Sequence, residues 1–323
     1  MDDRLDPDIR IFTDILREDW SRHPPLDTVS TVEARRIAEL VRARWTAGGP
    51  IMSETRNVVV DTRAGALRVR IYRPDGVAAE DAPALLYVHG GGFVFFSLDT
   101  HDRLMREYAN AGRFVVVGID YPLSPEAKYP VALDQIVALV DWLGEHGTEL
   151  GIDATRVAIG GDSAGANLAL ATCLRLRDGG RNSAIRGILS NYGAFSGDVS
   201  DAAEAAYGGP DALLTQADMR YFFDQYLVSG DQRGDAYACP LSASDVAALP
   251  PVLLIVPELD VLAEQSFALE ARLRATGCAV ASNVYRGATH SFLEAMSIAP
   301  LAEQAIRDGA SWIRDQLASP LMK

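Results

Sequence analysis

Hydrophobic and polar positions along this chain follow two different periods, and the change between them falls near residue 56. Before it, Ile9, Phe12 and Leu16, then Ala34, Ile37, Leu40 and Val41, recur at three- and four-residue spacing. That spacing predicts amphipathic helices, with SRHPPLDTVS as the loop between them. From residue 56 onward β-branched runs take over. NVVVDT and LRVRIYRP predict two paired strands, and ALLYVHG (84–90) a buried one. Further strands are expected at 114–121, 156–163, 185–192 and 252–257, with a less apolar one at 280–286. Helical patterns fill the gaps at 101–112, 131–147, 165–178, 262–276 and 301–317. Strands alternating with helices of this length predict an α/β fold, a mostly parallel, doubly wound sheet with helices on both faces.

The alternation breaks at residues 194–245. This stretch has no strand-like run, but it holds one helical piece, ADMRYFFDQYL, and the aromatics Phe195, Tyr207, Tyr221, Phe222, Phe223 and Tyr226. An insertion there would sit above the carboxyl ends of the strands, where open α/β sheets bind ligands. Four segments follow: a helical cap segment over 1–50, a first part of the core over 51–193, a cap insertion over 194–245 and a second part of the core over 246–323.

Composition narrows the partners. Forty-four acidic against thirty basic residues give a net charge of −14, which repels phosphate backbones and anionic lipid heads. Nucleic acid and membrane are therefore not expected partners; a small molecule is. The N-terminus MDDRLDPDIR lacks the basic and apolar regions of a signal peptide, and no run approaches the ~20 apolar residues of a membrane span. Cys173, Cys239 and Cys278 have no paired spacing and fit reduced thiols in a cytoplasmic protein, monomer or homodimer. With no HExxH, no Cys/His set and no P-loop, no metal or nucleotide cofactor is expected.

Four motifs carry candidate chemistry. The first is Gly161-Asp162-Ser163-Ala164-Gly165, between a strand and a helix. A sharp strand-to-helix turn lifts the serine hydroxyl out of the sheet. The glycines on either side let the backbone crowd together, and the helix N-terminus favours developing negative charge. The pattern alone also fits a plain glycine-rich turn; its strand and helix favour the nucleophile. The second is His89-Gly90-Gly91-Gly92 at the end of a strand, where bare N–H groups can approach an oxyanion. The third is the base. Of five histidines only His290, in GATHSF, follows Ser163 in the chain. The fourth is the acid, from VLLIVPELDVLAEQ: Asp260 sits on the loop, Glu258 competes with it, and Glu264 belongs to the next helix. Asp162 is read as holding backbone or a neighbouring loop, and Asp99 or Thr100 as capping the helix at 101–112.

At these sites the chain resembles the hormone-sensitive-lipase-like (family IV) esterases of the α/β-hydrolase superfamily, and most of all the bacterial acetyl esterases. The likeness lies in YVHGGGFVFFSLDTHDRLMREYA, GIDYPLSPEAKYP, AIGGDSAGANLALA and YRGATHSFL, and extends from about residue 40 to the C-terminus. The resemblance implies an α/β-hydrolase fold with an eight-stranded sheet and a helical cap. It also implies a triad of Ser163, Asp260 and His290, oxyanion donors at Gly91, Gly92 and Ala164, and a structural role for His89. The implied reaction is hydrolysis of short-chain esters, acetyl to butyryl, through an acyl-enzyme. Two departures stand out. The acid loop reads DVLAEQ where the family usually has DPL, and Phe96 stands where a small residue is common. Phe93, Phe95 and Phe96 follow the oxyanion glycines directly, so Phe93 and Phe96 are expected in the substrate pocket.

Overall fold

The computed structural model describes residues 4–181 and 184–318. The first three and last five residues, which belong to the outer cap and core segments expected above, lie outside the described residues. Two helices open the chain. Helix α1 (Pro7–Ser21) starts where the Asp6 side chain accepts from the backbone N–H of Asp8 and Ile9, with proline in its first turn. Helix α2 (Thr31–Thr46) is capped by Ser30. Their inward faces bury Ile9, Phe12 and Leu16, and Ile37, Val41 and Trp45, at the predicted helical spacing; Leu40 instead lies exposed.

Eight strands then form one sheet: β1 (Glu54–Thr62), β2 (Gly65–Arg73), β3 (Ala82–Val88), β4 (Val115–Asp120), β5 (Ile152–Asp162), β6 (Ile188–Asn191), β7 (Val252–Leu259) and β8 (Val280–Thr289). Their order is β1-β2-β4-β3-β5-β6-β7-β8. Only β1–β2 and β2–β4 pair antiparallel; the other five pairings are parallel. The crossovers are α3 (Asp102–Gly112), α4 (Val131–His146), α5 (Ala164–Asp178) and α8 (Ala263–Ala275), and α9 (Pro300–Ala318) closes the chain. Within 194–245 lie α6 (Asp201–Tyr207) and α7 (Gln216–Tyr226).

Side chains alternate across the sheet and split the core in two. On β3, Leu86 and Val88 pack with residues of α4, α5 and α8, whereas Leu85 and Tyr87 pack with α1, α2, α3 and α9. Strands buried on both faces read as continuous apolar runs, which is why β3, β4 and β7 were legible as such. The expected cap on α3 is different: Asp99 pairs with Arg70 at 2.7 Å and the Thr100 hydroxyl bonds Ser97, so neither side chain caps the helix. Among the described residues no helix is long and apolar enough to cross a membrane.

Candidate active site

The pairing registers bring four distant motifs to the carboxyl end of the sheet. Val88 of β3 pairs with Gly161 of β5, so His89 and Gly90 emerge beside Asp162 and Ser163. Leu259 of β7 pairs with Thr289 of β8, so Asp260 and His290 each follow one half of the same pair. β8 thus runs three residues further than its sequence pattern indicated, and His290 leaves the sheet directly.

Ser163 turns the chain from β5 into α5 with φ 53° and ψ −116°, a conformation few L-residues adopt. It is held by its N–H donating to the Asn191 carbonyl at 2.9 Å, and by its own carbonyl accepting from Ala194 and Asn167. The turn tolerates no Cβ at Gly165, which would collide with the carbonyls of Val88 and His89. His290 Nε2 lies 3.1 Å from Ser163 Oγ, and His290 Nδ1 lies 2.8 Å from Asp260 Oδ2. The Leu262 N–H donates to the other Asp260 oxygen at 2.9 Å. With the imidazole proton on Nδ1, Nε2 faces the hydroxyl as an acceptor. Glu258, the competing acid, accepts from the Gly287 N–H instead and holds the β8 turn.

The glycine loop is anchored from below. Asp162 accepts from the Gly90 N–H at 3.1 Å and from the Tyr87 hydroxyl at 3.0 Å, and its other oxygen lies 3.3 Å from His101 Nε2. A side chain at Gly90 would meet the Asp162 carboxylate. Burial alone would push the Asp162 carboxyl up, yet the facing His101 holds it below its ordinary range. Burial would likewise push His101 down, and Asp162 holds it above its ordinary range. His89 is driven down to about 3 by burial and by the neighbouring His101, so its ring is neutral. That ring stacks on Tyr121 at 4.5 Å, with Nδ1 2.8 Å from the Gly90 carbonyl. His101 was one of five histidines in the sequence; its place opening α3 carried no sign of this role.

Gly91 and Gly92 follow with φ 113° and 60°. Among the described residues, no backbone hydrogen bond outside helices and strands is donated by Gly91, Gly92 or Ala164. A cavity of about 610 Å³ opens over these glycines, Ser163 and His290. Its walls come from Leu16, Trp20, Ala38 and Arg42 on one side and from Leu213, Leu214, Tyr221 and Phe222 on the other. A smaller cavity of about 200 Å³ reaches Asp260 and His290 from between α1 and the 206–214 segment. Phe95 and Phe96 line the larger cavity, but Phe93 does not. Its backbone has φ 65°, and its ring is buried beneath α7, stacked on Tyr226 at 3.8 Å and edge-on to Phe223. The expected pocket role of Phe93 is therefore corrected: it supports the loop. Arg42 was missed because helical periodicity assigns a face, not the opening that the face borders, and Leu213 because it lies in the loop before α7, where no periodicity applies.

Comparison with known proteins agrees with this architecture. A family model described as alpha/beta hydrolase fold matches residues 85–294, about two thirds of the chain. A thermostable esterase from Pseudomonas putida is similar, with a TM-score of 0.91 and 28% identity, covering 99% of this chain and 100% of that one. An esterase from Pyrobaculum calidifontis has a TM-score of 0.86 and 30% identity over 98% of this chain and 100% of its own. The thermostable carboxylesterase EstE1, cloned from a metagenomic library, has a TM-score of 0.85 and 32% identity over 90% and 99%. The chain belongs to the α/β-hydrolase fold family, among the hormone-sensitive-lipase-like carboxylesterases.

Proposed function

We propose that this carboxylesterase hydrolyses short-chain acyl esters through a Ser163–His290–Asp260 triad. The observation that carries the reading is the unbroken chain from Asp260 Oδ2 through the His290 ring to Ser163 Oγ, at 2.8 and 3.1 Å, opening onto the larger cavity. His290 takes the Ser163 proton as the oxygen attacks the ester carbonyl. The Gly91, Gly92 and Ala164 N–H groups receive the oxyanion, helped by the N-terminus of α5. Asp260 orients the ring and stabilises its charged form. The alcohol leaves with the proton from His290, and water then resolves the acyl-enzyme with His290 again as base. The helices of 1–50 and the 194–245 segment act as the cap, since both contribute walls to the cavity. Phe95 and Phe96 beside the glycines restrict the acyl portion to about two to four carbons, because a packed wall does not absorb extra methylenes. The unpaired thiols, two of them buried, suit a reducing cytoplasm.

The test is substitution. Ser163→Ala and His290→Ala should each lower kcat by several orders of magnitude and leave a folded protein. What remains would be the ~10³–10⁴-fold that binding and oxyanion donors give over water. Asp260→Asn should also be severe, and combining it with His290→Ala should cost less than the two losses together. Covalent labelling by a fluorophosphonate, located by mass spectrometry, should fall on Ser163. A crippled Glu258→Gln beside an active Asp260→Asn would move the acid to Glu258.

A further inference from the structure

The larger cavity contains one permanent cation that the triad does not use. Arg42, on α2, is 6% exposed and lines the cavity together with Gly91, Phe96, Ser163 and Ser291. Its guanidinium lies over the Phe96 ring at 4.6 Å, and Nη1 is 3.5 Å from Glu294 Oε2. Neither contact is a hydrogen bond: Nη1 is fully buried and has no hydrogen-bond partner. A guanidinium cannot shed its charge, and a buried cation with unfilled donors is costly. Burial pushes the Glu294 carboxyl above its ordinary range, against the opposing pull of Arg42 and His101. The remaining walls are largely apolar, so this is a polar point of attachment inside a greasy chamber, the usual construction of a specificity site.

We propose that Arg42 is a specificity residue for esters carrying a second hydrogen-bond-accepting oxygen, which accepts from the guanidinium where it borders the cavity. The inference rests on the ester-hydrolase reading above. It deepens that reading by naming the substrate class: short esters with a keto, ether or carboxylate oxygen in addition to the ester group. A site built to donate to an oxygen discriminates strongly against the analogue lacking it, since that analogue leaves the donor stranded.

The test uses isosteric pairs on the full-length enzyme. Acetoacetyl and levulinyl esters are compared with butyryl and valeryl esters of the same phenol, placing the oxygen at two depths on the acyl side. Methoxyethyl acetate against butyl acetate probes the alcohol side, and a succinyl monoester probes an anionic oxygen. The wild type should favour the oxygen-bearing member of at least one pair in kcat/KM. Arg42→Met should shrink that ratio by about tenfold or more, whatever it does to the individual rates. Arg42→Lys, which keeps the cation, should retain part of the preference, and it supplies the measurement if the methionine variant does not fold. Wild-type ratios near one in every pair, or equal losses for both members in Arg42→Met, would overturn the inference and leave Arg42 as packing between α2 and Glu294. A wild type that cleaves none of these esters and takes no fluorophosphonate on Ser163 would instead remove the ester-hydrolase reading itself.

Discussion

Phe96 shows how much one residue can carry. Its φ of 71° is a conformation that favours glycine, which gives a backbone reason for the small residue that the family resemblance implies at this place. Here the chain accepts that strain and sets an aromatic ring against the cavity, braced by Arg42. Phe96→Gly should therefore relieve backbone strain while removing buried area, and the two effects oppose each other in stability. The larger consequence is in the pocket. Each methylene that fits the vacated space gains about 0.8 kcal/mol of burial. The ranking of acetyl through octanoyl esters by kcat/KM should move toward longer chains, and an unchanged ranking would return Phe96 to a purely supporting role. Its neighbour Phe93 already has that role. Both residues have positive φ, so the three-phenylalanine run does not alternate as a strand would, and residue type alone could not say which ring faces the substrate.

Elements built from long apolar runs or clear helical spacing were legible: the central strands, the α3, α4 and α5 crossovers and the glycine-flanked turn at Ser163. What was not legible depends on partners distant in sequence. The extension of β8 to Thr289 comes from its pairing with Leu259 and from Glu258 holding the Gly287 N–H, neither of which shows in the polar run VASNVYR. The same holds for His101, whose partner Asp162 is 61 residues away. Helix α7 was visible as an aromatic helical piece, but not its division of labour. Phe222 and Tyr221 face the cavity, while Phe223 and Tyr226 clamp Phe93. A capping box between Thr215 and Asp218 starts that helix. Thr215→Ala should cost about 1 kcal/mol of stability and, by loosening a cavity wall, should raise KM more than it lowers kcat. Steady-state kinetics alongside a thermal melt would check this, and a kcat loss with unchanged KM would contradict it. Deleting α1 and α2 is a blunter probe, because Ile9, Phe12, Val41 and Trp45 belong to the packing on one sheet face.

For the molecule as a whole, the net charge of −14 surrounds a cavity whose one buried guanidinium has the opposite sign. Long-range repulsion slows the approach of an anionic ester and is screened by salt, with a Debye length of about 10 Å at 0.1 M. For the succinyl monoester kcat/KM should rise with ionic strength, while a neutral ester of equal length should show little change. Parallel responses of the two would mean that surface charge has no part in substrate approach.

The pairing of Leu259 with Thr289 also orders events in time. Ser163 and His290, the proposed nucleophile and base, are 127 residues apart in the chain. Synthesis at about 5–20 residues per second separates them by on the order of ten seconds. During that interval the ribosome carries a serine elbow with no histidine to take its proton, followed by an apolar sheet face that still lacks α9. On the proposed mechanism no ester is cleaved until β8 pairs with the edge of β7. That single pairing completes the sheet and, on the proposed mechanism, sets the base beside its nucleophile.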